Sequence, residues 1–224
     1  MTTRLRARLS VSALETNAVL AVRRAGEHAV ADLRRDAWGH GLAFVSSALA
    51  AAGVRAARVD ESDRATVTAA GSTATDAAPT LDSELLLGLP GTGGSPVMSV
   101  SSVVVATKAL RAGEGVSYGY THRSVADTRV ALVAGGYGQG IVRGVGNAVS
   151  VEVAGELRPI VGRVAMDVFV VDIGSSAVSA GDEVVLFGSG LVRDGLAAWT
   201  AATGFTAAEI VCAIGLHVPR EVIA

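Results

Sequence analysis

Carbonyl chemistry needs an amine that can shed its proton, and the sequence offers one side chain of that type: among 19 basic residues, Lys108 is the only lysine. It lies in a strand-like run over residues 103–110 and is expected to face solvent. Tyr137, within Gly136-Tyr-Gly-Gln-Gly140 and followed by Arg143, carries a hydroxyl that acts as a base only where neighbours lower its ordinary pKa of about 10. His40, in Asp36-Ala-Trp-Gly-His-Gly41, has no second ligand at useful spacing, so a metal role is not expected and a bond to a backbone group is. The single cysteine, Cys212, excludes an internal disulfide. Its apolar helical surroundings mark a buried, inert thiol.

The elements that must position these groups fall into two textures. Residues 5–11 alternate as a strand, and Ser12-Ala-Leu-Glu15 has the capping-box spacing that opens a helix to about residue 24. Strands over residues 30–33 and 54–59 flank a loop over 34–41 and a helix over 42–52 stopped by Gly53, the order of a βαβ unit. A helix over 61–70 follows. Residues 71–80 have no period and the composition of a linker, residues 85–89 are read as one more buried strand, and Gly91-Thr-Gly-Gly-Ser-Pro96 is a second break.

Beyond it come short β-rich runs over residues 97–107, 129–134, 149–153, 158–164, 168–173 and 183–187, the spacing of an antiparallel barrel or sandwich. Ala154-Gly155-Glu156 is a hairpin turn. Helices are expected over 196–202 and 207–216. The fold class is therefore α+β, with domains over residues 1–95 and 96–224.

The bulk numbers bound the function. A net charge of −2 with scattered signs leaves no basic footprint for nucleic acid. The longest uncharged stretch, near residues 42–54, is too short to cross a bilayer, and the opening Met1-Thr-Thr-Arg-Leu-Arg lacks the apolar core of a secretory signal. Neither a nucleic-acid nor a membrane partner is expected, and a cytoplasmic address follows.

Five words stand in register over the second texture: Gly115-Val-Ser-Tyr-Gly119, Gly136-Tyr-Gly-Gln-Gly140, Pro159-Ile-Val-Gly-Arg-Val-Ala-Met-Asp167, Gly181-Asp182, and Glu209-Ile-Val-Cys with Val218-Pro-Arg220. Together they resemble the C-terminal β-domain of the alanine racemase family. Leu14, Asn17 and Asp36-Ala-Trp-Gly-His-Gly41 are similar to the opening of that family's pyridoxal-phosphate barrel. The resemblance thus implies a truncated remnant of a (β/α)₈ barrel followed by a mainly antiparallel β-barrel domain. Only about 95 residues precede the β-domain, against roughly 250 for a closed barrel.

The family pattern Lys-Ala-Asp-Ala-Tyr-Gly-His-Gly puts its cofactor lysine on Arg34 and its phosphate-binding tyrosine on Trp38. An arginine stays protonated and offers neither nucleophile nor base, so pyridoxal phosphate, the electron sink of the family, is expected not to be bound here. The resemblance further implies Tyr137 as the surviving candidate base, Gln139 in place of an aspartate, Met166 as a backbone-amide donor to a substrate carboxylate, and Ala208 where a site tyrosine stands. The expected function is that of a catalytically inactive relative or interaction module, in a homodimer or a heteromer with a full-length racemase. The alternative is residual or partner-dependent interconversion of L- and D-alanine.

Overall fold

The computed structural model describes residues 5–26 and 28–224. The chain divides into two compact units: residues up to Arg8 together with Ser99–Pro219, and Leu9–Met98 together with Arg220–Ala224. It crosses between them three times.

In chain order the elements are β1 (Arg6–Ser10), α1 (Val11–Ala25), β2 (Val30–Asp32), the short α2 (Arg34–Trp38), α3 (Leu42–Ala51), β3 (Ala56–Arg58), α4 (Arg64–Ala69), β4 (Thr73–Ala74), α5 (Ser83–Leu87), β5 (Met98–Leu110), β6 (Gly115–Val116), β7 (His122–Arg123), β8 (Thr128–Ala134), β9 (Ser150–Val153), β10 (Glu156–Val161), β11 (Val168–Asp172), β12 (Glu183–Phe187), α6 (Gly195–Thr203), α7 (Ala207–Gly215) and β13 (Arg220–Ile223).

The larger unit is a closed, antiparallel six-stranded barrel in the order β12-β9-β10-β11-β8-β5, shut by pairing of β12 with β5. A bulge between Val104 and Ala106 lets one long strand serve both neighbours, Glu183 opposite Val103 on one side and Val130 opposite Lys108 on the other. Inward-facing residues of these strands fill the interior: Val104, Ala131, Val133, Phe169, Val171 and Val184 are all buried. Trp199 of α6 meets Phe187 edge to face, centroids 5.2 Å apart, over one end. Ala154 and Gly155 both have positive φ, 52° and 73°, and join β9 to β10 in the two-residue turn expected there.

The smaller unit carries a three-stranded parallel sheet in the order β2-β3-β4. Residues 71–80 are no linker: Thr73 and Ala74 extend this sheet beside Ala56 and Ala57. Thr80 then returns to the far side of β2, where its Oγ1 accepts from Val30 N at 3.0 Å and its own N donates to Val30 O at 2.9 Å. A sheet edge left unpaired exposes backbone groups that need partners, and this return supplies them at Val30.

Two further expectations are corrected. Residues 85–89 are not a strand: α5 starts where Asp82 Oδ1 accepts from Leu85 N at 2.9 Å and ends at Gly88, φ 66°. An unbroken leucine run has no period to separate strand from helix, and the flanking cap and glycine decide it. The first helix is capped by Ser10, whose Oγ accepts from Ala13 N at 3.2 Å, so it begins earlier than the Ser12 capping box implied. Asn17, buried on α1, donates to Leu86 O and Ser95 O at 3.2 and 2.8 Å and accepts from Ser95 N at 2.9 Å, which locks α1 to the α5 region.

Candidate functional site

Arg34 stands just past the end of β2 and is committed to a neighbour. Its Nε and Nη2 donate to Asp32 Oδ1 and Oδ2 at 2.8 and 2.6 Å, a bidentate fork, and its backbone N reaches Asp32 Oδ1 at 3.2 Å. The Arg34 hydrogen bond holds the Asp32 carboxyl below the usual carboxylate range against the opposing effect of burial, and Asp32 in turn raises the Arg34 guanidinium.

The expected loop over residues 34–41 is a left-handed helical turn. Arg35, Asp36, Ala37 and Trp38 have φ of 54°, 55°, 51° and 54°, none is glycine, and each such residue costs about 1–2 kcal/mol. Tertiary contacts hold the turn. Asp60 Oδ2 accepts from Arg35 N at 2.7 Å, Asp36 Oδ1 accepts from Leu42 N at 2.6 Å, and Arg220 Nη1 donates to Asp36 Oδ2 and, at 3.1 Å, to Gly39 O. Trp38 is half-buried on this turn. His40 is fully buried with Nδ1 3.1 Å from Trp38 O, the backbone role read for it. Burial lowers its pKa to about 4, so the ring is neutral and Nδ1 carries the proton.

Tyr137 and Met166 are brought together in the barrel unit. Tyr137 opens a tight turn in which its N donates to Ala165 O at 3.0 Å and Gly138 N to Met166 O at 2.9 Å. Gln139 closes the turn, Oε1 accepting from Gly136 N at 2.9 Å and Nε2 donating to Asp167 at 3.2 Å. A Cβ on Gly136 would stand 2.2 Å from Ala165 O, so only glycine allows this approach. The Tyr137 ring is 42% exposed under the Arg143 guanidinium, 5.3 Å from its centroid, and Met166 is 54% exposed.

Tyr118 and Tyr120, between β6 and β7, are more exposed still, at 69% and 61%. Their backbone is strained at Ser117 and Tyr120, which have φ of 59° and 45° with Gly119 at 75° between them. Gly115 lets the Tyr120 ring lie on β6, since a Cβ there would fall 2.5 Å from Tyr120 Cδ1. Among the described residues no His, Cys, Asp and Glu cluster could hold a metal ion.

The model of the alanine racemase C-terminal domain matches residues 97–222. The chain belongs to the alanine racemase family. It is 45% identical over 134 residues to the alanine racemase of Thermobifida fusca (strain YX), which is 59% of this chain and 36% of that protein. It is equally similar over 117 residues to the biosynthetic alanine racemase of Salmonella typhimurium, 52% of this chain and 33% of that one. The chain spans about a third of the length of these curated relatives. The solved alanine racemase of E. faecalis superposes with a TM-score of 0.84 at 16% identity, covering 100% of both chains. That of Bartonella henselae with covalently bound pyridoxal phosphate gives 0.83 at 15%, again covering 100% of both. At such identities the solved structures speak for the fold.

Against the alanine racemase pattern, Ala208 lies half-buried in the first turn of α7, Cys212 is half-buried on the same helix, and Lys108 is exposed on β5. Reading the sequence gave Tyr118 no role, although Gly115-Val-Ser-Tyr-Gly119 was among the family words. Positive φ at non-glycine residues clusters at functional sites, and no periodicity in the sequence signals it. Among the described residues no single helix is long and apolar enough to cross a membrane.

Proposed function

We propose that this chain is a catalytically silent member of the alanine racemase family whose barrel unit acts by presenting its tyrosines to another chain. One observation carries this reading: at the position of the family lysine stands Arg34, already engaged through both ends of its guanidinium fork by Asp32. The residues aligned with the cofactor site do not fit pyridoxal phosphate. Arg34 has no nucleophilic lone pair, Trp38 has no hydroxyl, and the parallel sheet beside them has three strands, consistent with a shortened barrel. We derive no step through the cofactor.

What remains suited to chemistry is the exposed phenols. We infer that Tyr118 is the stronger candidate to enter a partner's site, because strained backbone on both sides of it holds an exposed ring outward. Tyr137, stacked by Arg143 and backed by Met166, is the second candidate and would line the same surface. The partner is a second copy of this chain or a full-length racemase, and in the latter case activity would be partner-dependent.

The deciding measurement is alanine racemisation with added pyridoxal phosphate, for the chain alone and mixed with a full-length racemase disabled in its own β-domain tyrosine. The chain alone is expected to be inactive, with no borohydride-reducible pyridoxyl adduct at residue 34. Activity regained on mixing would favour the lending reading, and its loss with Tyr118→Phe or Tyr137→Phe would say which phenol is lent. Turnover by the chain alone would overturn the proposal.

A further inference from the structure

Outside the cofactor position and the Tyr137 turn, the barrel unit carries a cavity of about 680 Å³, within the size range of small-molecule sites. Its floor is the outer face of three strands. Ala131, Val133, Phe169 and Val171 point inward and are buried, so the alternate residues Val130, Leu132, Val168 and Val170 share the outer face. Across the strands Ala106 lies opposite Leu132, Lys108 opposite Val130, and Val170 opposite Leu132.

The outer face of a solvated barrel is ordinarily polar. Here it is aliphatic, and the β6–β7 segment covers only one end, where Val116 packs with Leu110, Val130 and Val161. Ser117, Tyr118 and Tyr120 form the wall of the remainder, held there by the strained backbone, and Thr107 and Lys108 form its rim.

The lining carries one sign of charge. Lys108 is the only ionised side chain of the lining and no carboxylate shares it. Arg123 stacks on Tyr120 at 5.4 Å from the ring centroid, and Arg163 Nη1 lies 3.4 Å from where a Cβ on Gly119 would stand.

We propose that this cavity binds a small amphipathic carboxylate, with a planar or branched apolar body on the Val130, Leu132, Val168 and Val170 floor and its carboxylate at Lys108. A mainly apolar lining with one ammonium suits a monoanion better than a multiply charged phosphate, whose further charges would meet only hydrocarbon. The site shares Tyr118 with the surface proposed to meet a partner chain and rests on that surface being open, so a small carboxylate and a partner would compete for it.

The test uses the full chain with phenylacetate and hexanoate as probes and phenylacetamide and hexanol as neutral isosteres, followed by calorimetry and saturation-transfer NMR. Saturable binding is expected at about millimolar Kd or tighter, with the carboxylates at least about tenfold tighter than the isosteres. Lys108→Met, which keeps the apolar stem, should erase that preference, and Leu132→Glu should abolish binding. Circular dichroism checks that both variants fold. Equal binding of the neutral isosteres, undiminished preference in K108M, or no saturation by either probe would overturn the proposal. Protection of this face that grows with protein concentration, without ligand binding, would assign it instead to a second copy.

Discussion

Asp36 and Arg220 lie 184 residues apart in sequence and form an ion pair within the smaller unit, the same guanidinium also donating to Gly39 O. The pair closes a turn of four left-handed residues that no glycine relieves, so the far end of the chain stabilises its least favourable backbone. Arg220→Ala is expected to lower unfolding free energy by about 1–2 kcal/mol, discounted for its partial exposure. Amide exchange at Leu42, whose N donates to Asp36, should accelerate first. Unchanged exchange there would separate the turn from the pair.

His40 makes the stability of the same turn pH-dependent. Its folded pKa of about 4 lies below the ordinary 6.5 because burial disfavours the imidazolium. The unfolded chain therefore takes up the proton first, and stability falls as pH drops from about 6.5 to about 4, by up to about 3 kcal/mol. His40→Asn, which keeps a donor for Trp38 O and removes the titration, should flatten this slope in urea unfolding measured between pH 7 and 4.

The Asp32–Arg34 pair acts in the same direction, over a lower pH range. A depressed carboxyl pKa means its contribution is complete above the unfolded value of about 3.9 and disappears as pH falls through the folded one. The stability difference between the protein and Asp32→Asn should accordingly shrink below pH 4.

The same pair predicts that Arg34→Lys alone will not restore imine formation, since the Asp32 carboxylate keeps a facing ammonium charged. Combining Asp32→Val with Arg34→Lys should raise the borohydride-trapped pyridoxyl adduct at that position, read by peptide mass. An equal yield from the single variant would show that Asp32 is not the obstacle.

Gly88 ends α5 at φ 66°, and a Cβ there would fall 1.8 Å from Ser95 O. Gly88→Ala should cost at least about 2–4 kcal/mol, seen as a lower urea midpoint. Gly155→Ala, at φ 73° with nothing within 4 Å of its Cβ, meets strain alone and should cost about 1 kcal/mol.

The barrel was legible because short β-rich runs recur between turn residues, whereas the inward face of Val168-Phe-Val-Val-Asp172 was not, since four of its five residues are apolar. The leucine run of α5 was not legible, since three successive leucines, Leu85 to Leu87, satisfy either period. The left-handed turn left no local mark: Arg35 to Trp38 are ordinary residues whose conformation is set by Asp60 and Arg220, far away in sequence. For the candidate site, the family resemblance singled out Arg34. Its capture by Asp32 depended on side-chain geometry at the end of a strand. Tyr137 and Met166 meet because two loops cross, which spacing along the chain does not encode.

Thr80 on the outer side of β2 also bears on how this molecule meets others of its kind. With Val30 engaged there, another extended chain joining the parallel sheet on that side would first have to displace Thr80. The opposite border is Thr73–Ala74, two residues long, and so short a template supports hardly more than a bond or two. Growth by end-on strand addition, the route by which broken sheets seed fibrils, is thereby discouraged on both sides of the sheet.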